Sequence, residues 1–316
     1  MANGLKSITK LLNKELSHFK KEFHKTLKSD IFLVDKAIQF ISSSKNSGLR
    51  SSLLLGITKM LSEKLPTKAY KGAIAVELLH TAMLLHSEVT DDIVESKFRL
   101  ISKRKANKLS ILLGDFMLSR SLVEIASTEN LEAVNIFSKV ATKVTESEIF
   151  AQDMLNRADF NEKEYVRLIS EKYSDLISAS CELGVVLSEN PTTQIQNSLK
   201  NFGQNLGIIF WLQDDLFKMS KNSVFGKPLE KNIKEFDFSL PLIYSLQNAP
   251  QQEVEKLLEN FKSGTKLWQA FSEKYGGLNY TSSKISDHLK LATESLEPLE
   301  NGEFKSALAS LTKIGN

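Results

Sequence analysis

Two short acidic clusters carry the strongest chemical signal in the sequence. The first, Ser87-Glu88-Val89-Thr90-Asp91-Asp92, follows the run Glu77-Leu-Leu-His80-Thr-Ala82-Met83-Leu-Leu-His86. On a helix Glu88, Asp91 and Asp92 fall at i, i+3 and i+4, so their carboxylates share one face. Like charges so placed repel, and a hard divalent cation with oxygen ligands offsets that cost. A solvated acidic helix end also accounts for this cluster taken alone. The second cluster is Asp214-Asp215-Leu-Phe-Lys218, entered directly from the apolar stretch Asn205-Leu-Gly-Ile-Ile-Phe-Trp-Leu-Gln213. Two apolar helices that each end in paired acids describe a cavity with carboxylates at its mouth, which is how helical bundles build metal sites. After the second cluster, Phe225-Gly226-Lys227-Pro228 offers a loop lysine suited to phosphate.

These side chains must be positioned by helices. Breakers are rare: Pro66, Pro191, Pro228, Pro241, Pro250 and Pro298 are the only prolines, with 14 glycines in 316 residues. Between them apolar residues recur at three- and four-residue spacing over roughly 31–43, 50–64, 67–95, 108–127, 130–158, 161–188, 192–220, 238–248 and 251–295, the last broken near Gly276–Gly277. No Val/Ile-rich stretch alternates with the period of a strand. The expected architecture is all-α, one domain over residues 1–316, with no composition shift that would mark a linker.

Charge and composition exclude several classes. The 41 Lys and Arg against 38 Asp and Glu leave a net charge of +3, too little excess for a nucleic-acid binder and too balanced for a disordered chain. No run of about 18 uninterrupted apolar residues exists, so no transmembrane segment is expected. Cys181, the single cysteine, precludes an internal disulfide and favours a reducing compartment, hence a cytoplasmic location. It lies among small apolar residues with no activating neighbour and reads as a structural thiol. The first 28 residues are unusual in carrying seven lysines against Glu15 and Glu22, with Ile8, Leu11, Leu12, Leu16, Phe19 and Phe23 on the opposite face. An amphipathic helix with a solvated basic face fits this pattern, and so does peripheral contact with a membrane surface.

In order along the chain, the motifs resemble those of the trans-isoprenyl diphosphate synthases, or polyprenyl synthetases. Glu77 to His86 is similar to the family's lead-in to its first aspartate-rich motif. Asn107-Lys108 with Leu113-Gly114-Asp115, Glu171-Lys172 with Ala179 to Gly184, Phe202-Gly203 to Asp215, Gly226-Lys227-Pro228, Ser239-Leu-Pro-Leu-Ile243 and Tyr275-Gly276-Gly277 resemble later segments. The resemblance implies an isoprenoid-synthase-type helical bundle around a central cavity, generally dimeric. It also implies Mg²⁺-dependent condensation of isopentenyl diphosphate with an allylic diphosphate. By the same resemblance Glu88, Asp91, Asp214 and Asp215 are the metal positions. Arg50, His80, Lys172 and Lys227 are the diphosphate contacts, and Ala82 and Met83 lie under the growing chain. No residue is assigned as a catalytic base.

The sequence departs from that pattern where charge matters most. The first Asp-Asp-x-x-Asp reads Ser87-Glu88-x-x-Asp91, and serine is a weaker Mg²⁺ ligand than a carboxylate. The second reads Asp214-Asp215-x-x-Lys218, with the lysine one turn from Asp214 and placed to neutralise it. Tyr173 replaces the threonine after Lys172, and Trp211 stands where an amide should meet diphosphate. The basic segment before the bundle keeps only Arg50, the usual acid and lysine at Asn232 and Asp237 are replaced, and near Lys97 and Arg99 the correspondence slips. Weak or incomplete Mg²⁺ binding and weak activity alone are therefore expected. The alternative is a non-catalytic partner in a heterodimer with an intact homologue. A terpene cyclase is less favoured, because Lys218 occupies the serine position of that motif.

Overall fold

Apolar stripes of helical period become helices throughout the described residues. The computed structural model describes residues 2–31, 34, 48–87, 103–154, 161–219, 239–259 and 265–312. Among these residues there is no strand, and fourteen α-helices follow one another. They are α1 Ala2–Leu11, α2 Asn13–Leu27, α3 Leu49–Met60, α4 Thr67–Ser87, α5 Lys103–Ala126, α6 Leu131–Met154, α7 Glu162–Ile169, α8 Asp175–Val186, α9 Thr193–Lys218, α10 Leu240–Asn248, α11 Gln251–Glu259, α12 Thr265–Lys274, α13 Gly277–Glu294 and α14 Glu303–Thr312. The all-α expectation holds. The expected helix at 31–43 lies almost wholly outside the described residues. Helix α14 was not anticipated, although Phe304, Ala307, Leu308 and Leu311 carry the right period.

The centre of the bundle is α8, whose every residue from Leu176 to Val186 is buried. A helix apolar on all sides belongs in a core rather than at a surface. It packs between α3 and α9, and α3 in turn lies against α4. One apolar cluster joins Leu53, Leu54 and Ile57 of α3, Val76 and Leu79 of α4, Leu183 of α8, and Phe202, Leu206 and Ile209 of α9. A smaller cluster, Met219, Leu242, Leu257, Trp268 and Phe271, closes the C-terminal end. No helix among the described residues is long and apolar enough to cross a membrane.

Three local features position the chemistry. Between α7 and α8 the helix widens into a π-turn, Ser170–Ser174, which carries Lys172 and Tyr173. Such turns insert one residue into the helical ladder and re-aim the side chains around it. Helix α9 passes this turn at Gly207, where a Cβ would lie 2.5 Å from the Ser174 Cα, so only glycine permits the approach. The expected break at Gly276–Gly277 is a left-handed residue, Gly276 at φ +77°, which separates α12 from α13.

Candidate functional site

The C-terminal end of α9 presents Asp214 and Asp215 in opposite situations. Asp215 is 1% exposed. Its Oδ2 accepts hydrogen bonds from the Tyr165 hydroxyl and from the Leu240 backbone N–H, the latter at 2.8 Å. Leu240 opens α10 behind Ser239, which makes no side-chain cap, so Asp215 satisfies a helix N–H that would otherwise be buried without an acceptor. Burial pushes this carboxyl up to about 7, against the lowering effect of its two hydrogen bonds and of Lys218. Burial and the neighbouring Asp215 push the Tyr165 phenol well above its ordinary range. Asp215 thus ties α9 to α7 and α10.

Asp214 is half exposed and already has a cation. Lys218 Nζ lies 3.1 Å from its Oδ2, one helical turn along. The same ammonium sits 5.2 Å from the centre of the Trp211 ring, within cation–π range. Trp211 stacks on Tyr173 of the π-turn, with centroids 3.7 Å apart and planes 14° from parallel. On the far side Lys172 lies 5.6 Å from the Tyr173 ring and 2.8 Å from Glu148 Oε2 on α6. A continuous row therefore runs Glu148, Lys172, Tyr173, Trp211, Lys218, Asp214. Each lysine in it is matched to a protein carboxylate.

A second group gathers where α3 meets α4. Glu77 is buried, and its Oε1 accepts from Ser51 N–H at 3.0 Å and Ser51 Oγ at 2.8 Å. Gly48, at the N-terminus of α3, has no side chain to cap it, and the neighbouring helix supplies the carboxylate instead. Glu77 also steadies the Arg50 guanidinium, whose pKa burial draws down from its ordinary range. His80 lies beside Arg50; burial, and then that cation, hold its pKa well below the usual histidine range, so the imidazole is neutral near pH 7. Arg50 Nε is buried with no acceptor among the described residues. A guanidinium N–H left so is costly unless an anion or water completes it.

The structure thus brings together Arg50 and His80, and separately Lys172 and Asp214. Ala82 is buried on α4, and Met83, half-buried beside it, packs against the main core. Further along that helix His86 Nε2 lies 3.3 Å from Asp115 Oδ1. Glu88, Asp91 and Lys227 lie outside the described residues, as do Lys97, Arg99, Asn232 and Asp237, so only the second acidic cluster is seen. Among the described residues no three His, Cys, Asp or Glu side chains converge as a metal site would require. Lys218 competes with any cation for Oδ2 of Asp214, and Oδ2 of Asp215 is committed to Tyr165 and Leu240. The residues that the sequence pattern pairs with this cluster, Glu88 and Asp91, are outside the described residues, so the described part of the site is Asp214 and Asp215 alone. Cys181 is buried, and burial pushes its thiol up, which leaves it inert.

Sequence reasoning missed Tyr165 and Glu148. Neither stands near an acidic cluster in the sequence, and the partners they find are 50 and 24 residues away. The Tyr173–Trp211 stack left a trace, because two aromatic rings replace two small polar residues of one expected pocket.

The sequence pattern of the family described as Polyprenyl synthetase matches residues 33–275. A prenyl transferase from Cyanophora paradoxa is 27% identical over 97% of this chain and 97% of its own length. A protein named heptaprenyl diphosphate synthase component 2, from Bacillus subtilis, is 26% identical over 96% of this chain and 87% of its own. Among solved structures, a polyprenyl synthase from Caulobacter crescentus, complexed with calcium and isoprenyl diphosphate, superposes with a TM-score of 0.85. It is 20% identical and covers 97% of this chain and 95% of its own, which establishes a common fold.

Proposed function

The chain belongs to the polyprenyl synthetase family, and from that premise we propose that it serves trans-isoprenoid chain synthesis with little turnover of its own. One observation carries this reading: Lys218 pairs with Asp214 above Trp211, at the corner where the family's pattern calls for a metal-held diphosphate. Departure of an allylic diphosphate separates charge, and preorganised cations around the leaving group lower that barrier. Here Lys172 and Lys218 are engaged by Glu148 and Asp214, and two stacked rings stand between them. Each lost charge-assisted contact costs on the order of 1.5–3 kcal/mol, and about 1.4 kcal/mol is a factor of ten in rate. Two or three such losses reduce turnover by several orders of magnitude.

What this reading retains is anion binding at the other group. Arg50 supplies a buried guanidinium with an open N–H, and neutral His80 can donate a hydrogen bond to a diphosphate oxygen without adding charge. Glu88 and Asp91 would complete a weak Mg²⁺ site with Asp214, and Lys227 would reach phosphate from its loop. In this proposal residues 1–316 act as one cytoplasmic domain. Any product is long, because Ala82 is small and Met83 is flexible beneath the growing chain.

The second reading makes the chain the non-catalytic member of a heterodimer with an intact homologue. Its support is an exposed apolar stripe on α5, Ile111, Leu112, Leu122 and Val123, continued by Leu84 on α4. A relative named as one component of a synthase points the same way. Incubating the purified chain with labelled isopentenyl diphosphate, an allylic diphosphate and Mg²⁺, alone and with an intact homologue, tests both readings. We expect trace product alone. Product raised above that of the homologue by itself supports the partner role, and turnover alone at the level of an intact synthase would overturn the proposal.

A further inference from the structure

Positive charge in this protein is concentrated at one edge. Residues 1–31 hold seven lysines and three acids, a net +4 that exceeds the +3 of the whole chain, so everything beyond them is slightly acidic. Helices α1 and α2 place these lysines in a line. The backbone runs on through Leu12, with Leu12 N–H bonded to Ile8 C=O at 3.1 Å and Leu16 N–H to Leu12 C=O at 2.8 Å. Lys6, Lys10, Lys14, His18, Lys21, Lys25 and Lys28 succeed one another at three- or four-residue spacing, and all are exposed. At 1.5 Å per residue the row is about 33 Å long. The opposite face is spent on the core, where Ile8, Leu12, Phe19 and Leu27 are buried. Within the row the one ion pair among the described residues is the loose, exposed Lys25–Glu22 contact at 3.7 Å.

We propose that this ridge docks the protein on an anionic phospholipid surface, lying parallel to it without inserting. The chemistry of the ridge favours lipid over nucleic acid. Its cations are all ammoniums, with no arginine fork for bidentate phosphate recognition. The one ring within the row, His18, already meets Tyr70 edge to face with centroids 4.7 Å apart, which is a poor platform for stacking a base. A straight row of flexible point charges suits a plane of mobile headgroups, and exposed Ile31 ends the row with an apolar contact. The ridge is remote in sequence from both acidic clusters, and the proposal does not rest on the catalytic reading.

Flotation of the full chain with vesicles tests it, using pure phosphatidylcholine against phosphatidylcholine mixed with phosphatidylglycerol. Binding should require the anionic lipid and fall steeply with added salt. The triple variant Lys14→Gln, Lys21→Gln, Lys25→Gln should keep its helical spectrum, since these side chains are exposed. It should bind about a hundredfold more weakly, from roughly fivefold per lysine. A second triple variant, Lys139→Gln, Lys163→Gln, Lys256→Gln, removes equal charge elsewhere and should bind like the parent. Equal binding to neutral vesicles, no binding to either, or an unchanged affinity of the ridge variant would each overturn the proposal. So would displacement from the vesicles by an oligonucleotide at equal phosphate concentration, which would mark the ridge as a nucleic-acid surface.

Discussion

Burial raises the affinity of Asp215 for its proton, and that has a measurable sign. Its pKa rises to about 7 in the folded chain, against about 3.9 for an unfolded aspartate. Between those values the native state binds the extra proton, so stability falls as pH rises through this window and levels off above it. Asp215→Asn retains an oxygen to accept from Tyr165 and Leu240 and cannot ionise. We expect the variant to flatten the slope between pH 5 and pH 8 and to gain up to a few kcal/mol over the parent at the upper end. Urea denaturation across that range measures it, and an unchanged slope would reassign the effect to another group. At Asp214 the expectation concerns affinity: Lys218→Ala should tighten Mg²⁺ binding in the presence of a diphosphate analogue several-fold by calorimetry. No change would show that Lys218 does not compete for the carboxylate. The sequence already placed Lys218 one turn from Asp214, because helical spacing is local information. It could not place Tyr165 under Asp215 or Glu148 beside Lys172, because those contacts depend on how distant helices cross.

The helices themselves were largely written in the apolar period, and the break at Gly276 followed from two adjacent glycines. The π-turn at Ser170–Ser174 was not legible, because the sequence there is periodic enough for an ordinary helix and the extra residue is set by the packing of α9. Gly207 is the point of that packing. A methyl group at this position would press into the Ser174 backbone, and because backbone cannot rotate aside the helices must separate. Gly207→Ala should destabilise the fold by about 1–3 kcal/mol and unstack Tyr173 from Trp211. Thermal unfolding together with tryptophan emission would register both effects. A variant as stable as the parent would mean that α9 shifts without strain.

At the scale of the molecule, helix α5 carries an exposed apolar face among the described residues. Leu112 and Val123 stand eleven residues apart on α5, three turns along one side, and both are more than half exposed. Turning this face into a dimer contact removes apolar surface from water at about 25 cal/mol per Å². On the partner reading proposed above, Leu112→Glu combined with Val123→Glu should abolish association with an intact homologue in light scattering without loss of helicity. Association undiminished by the two substitutions would place the contact elsewhere.

The row from Glu148 to Asp214 also bears on how its members tolerate substitution. Charges and rings in it are matched to one another, so a change at one member leaves its neighbour without a match. Lys218→Asp alone would set two carboxylates one turn apart beside Trp211 and strand that ring without its cation. Trp211→Gln alone would leave Tyr173 unstacked and Lys218 still holding Asp214. Contacting residues of this kind are non-additive. A change at one member of the row should therefore cost more than the same change made together with its neighbour, and a double-mutant cycle on Trp211 and Lys218 would measure that coupling.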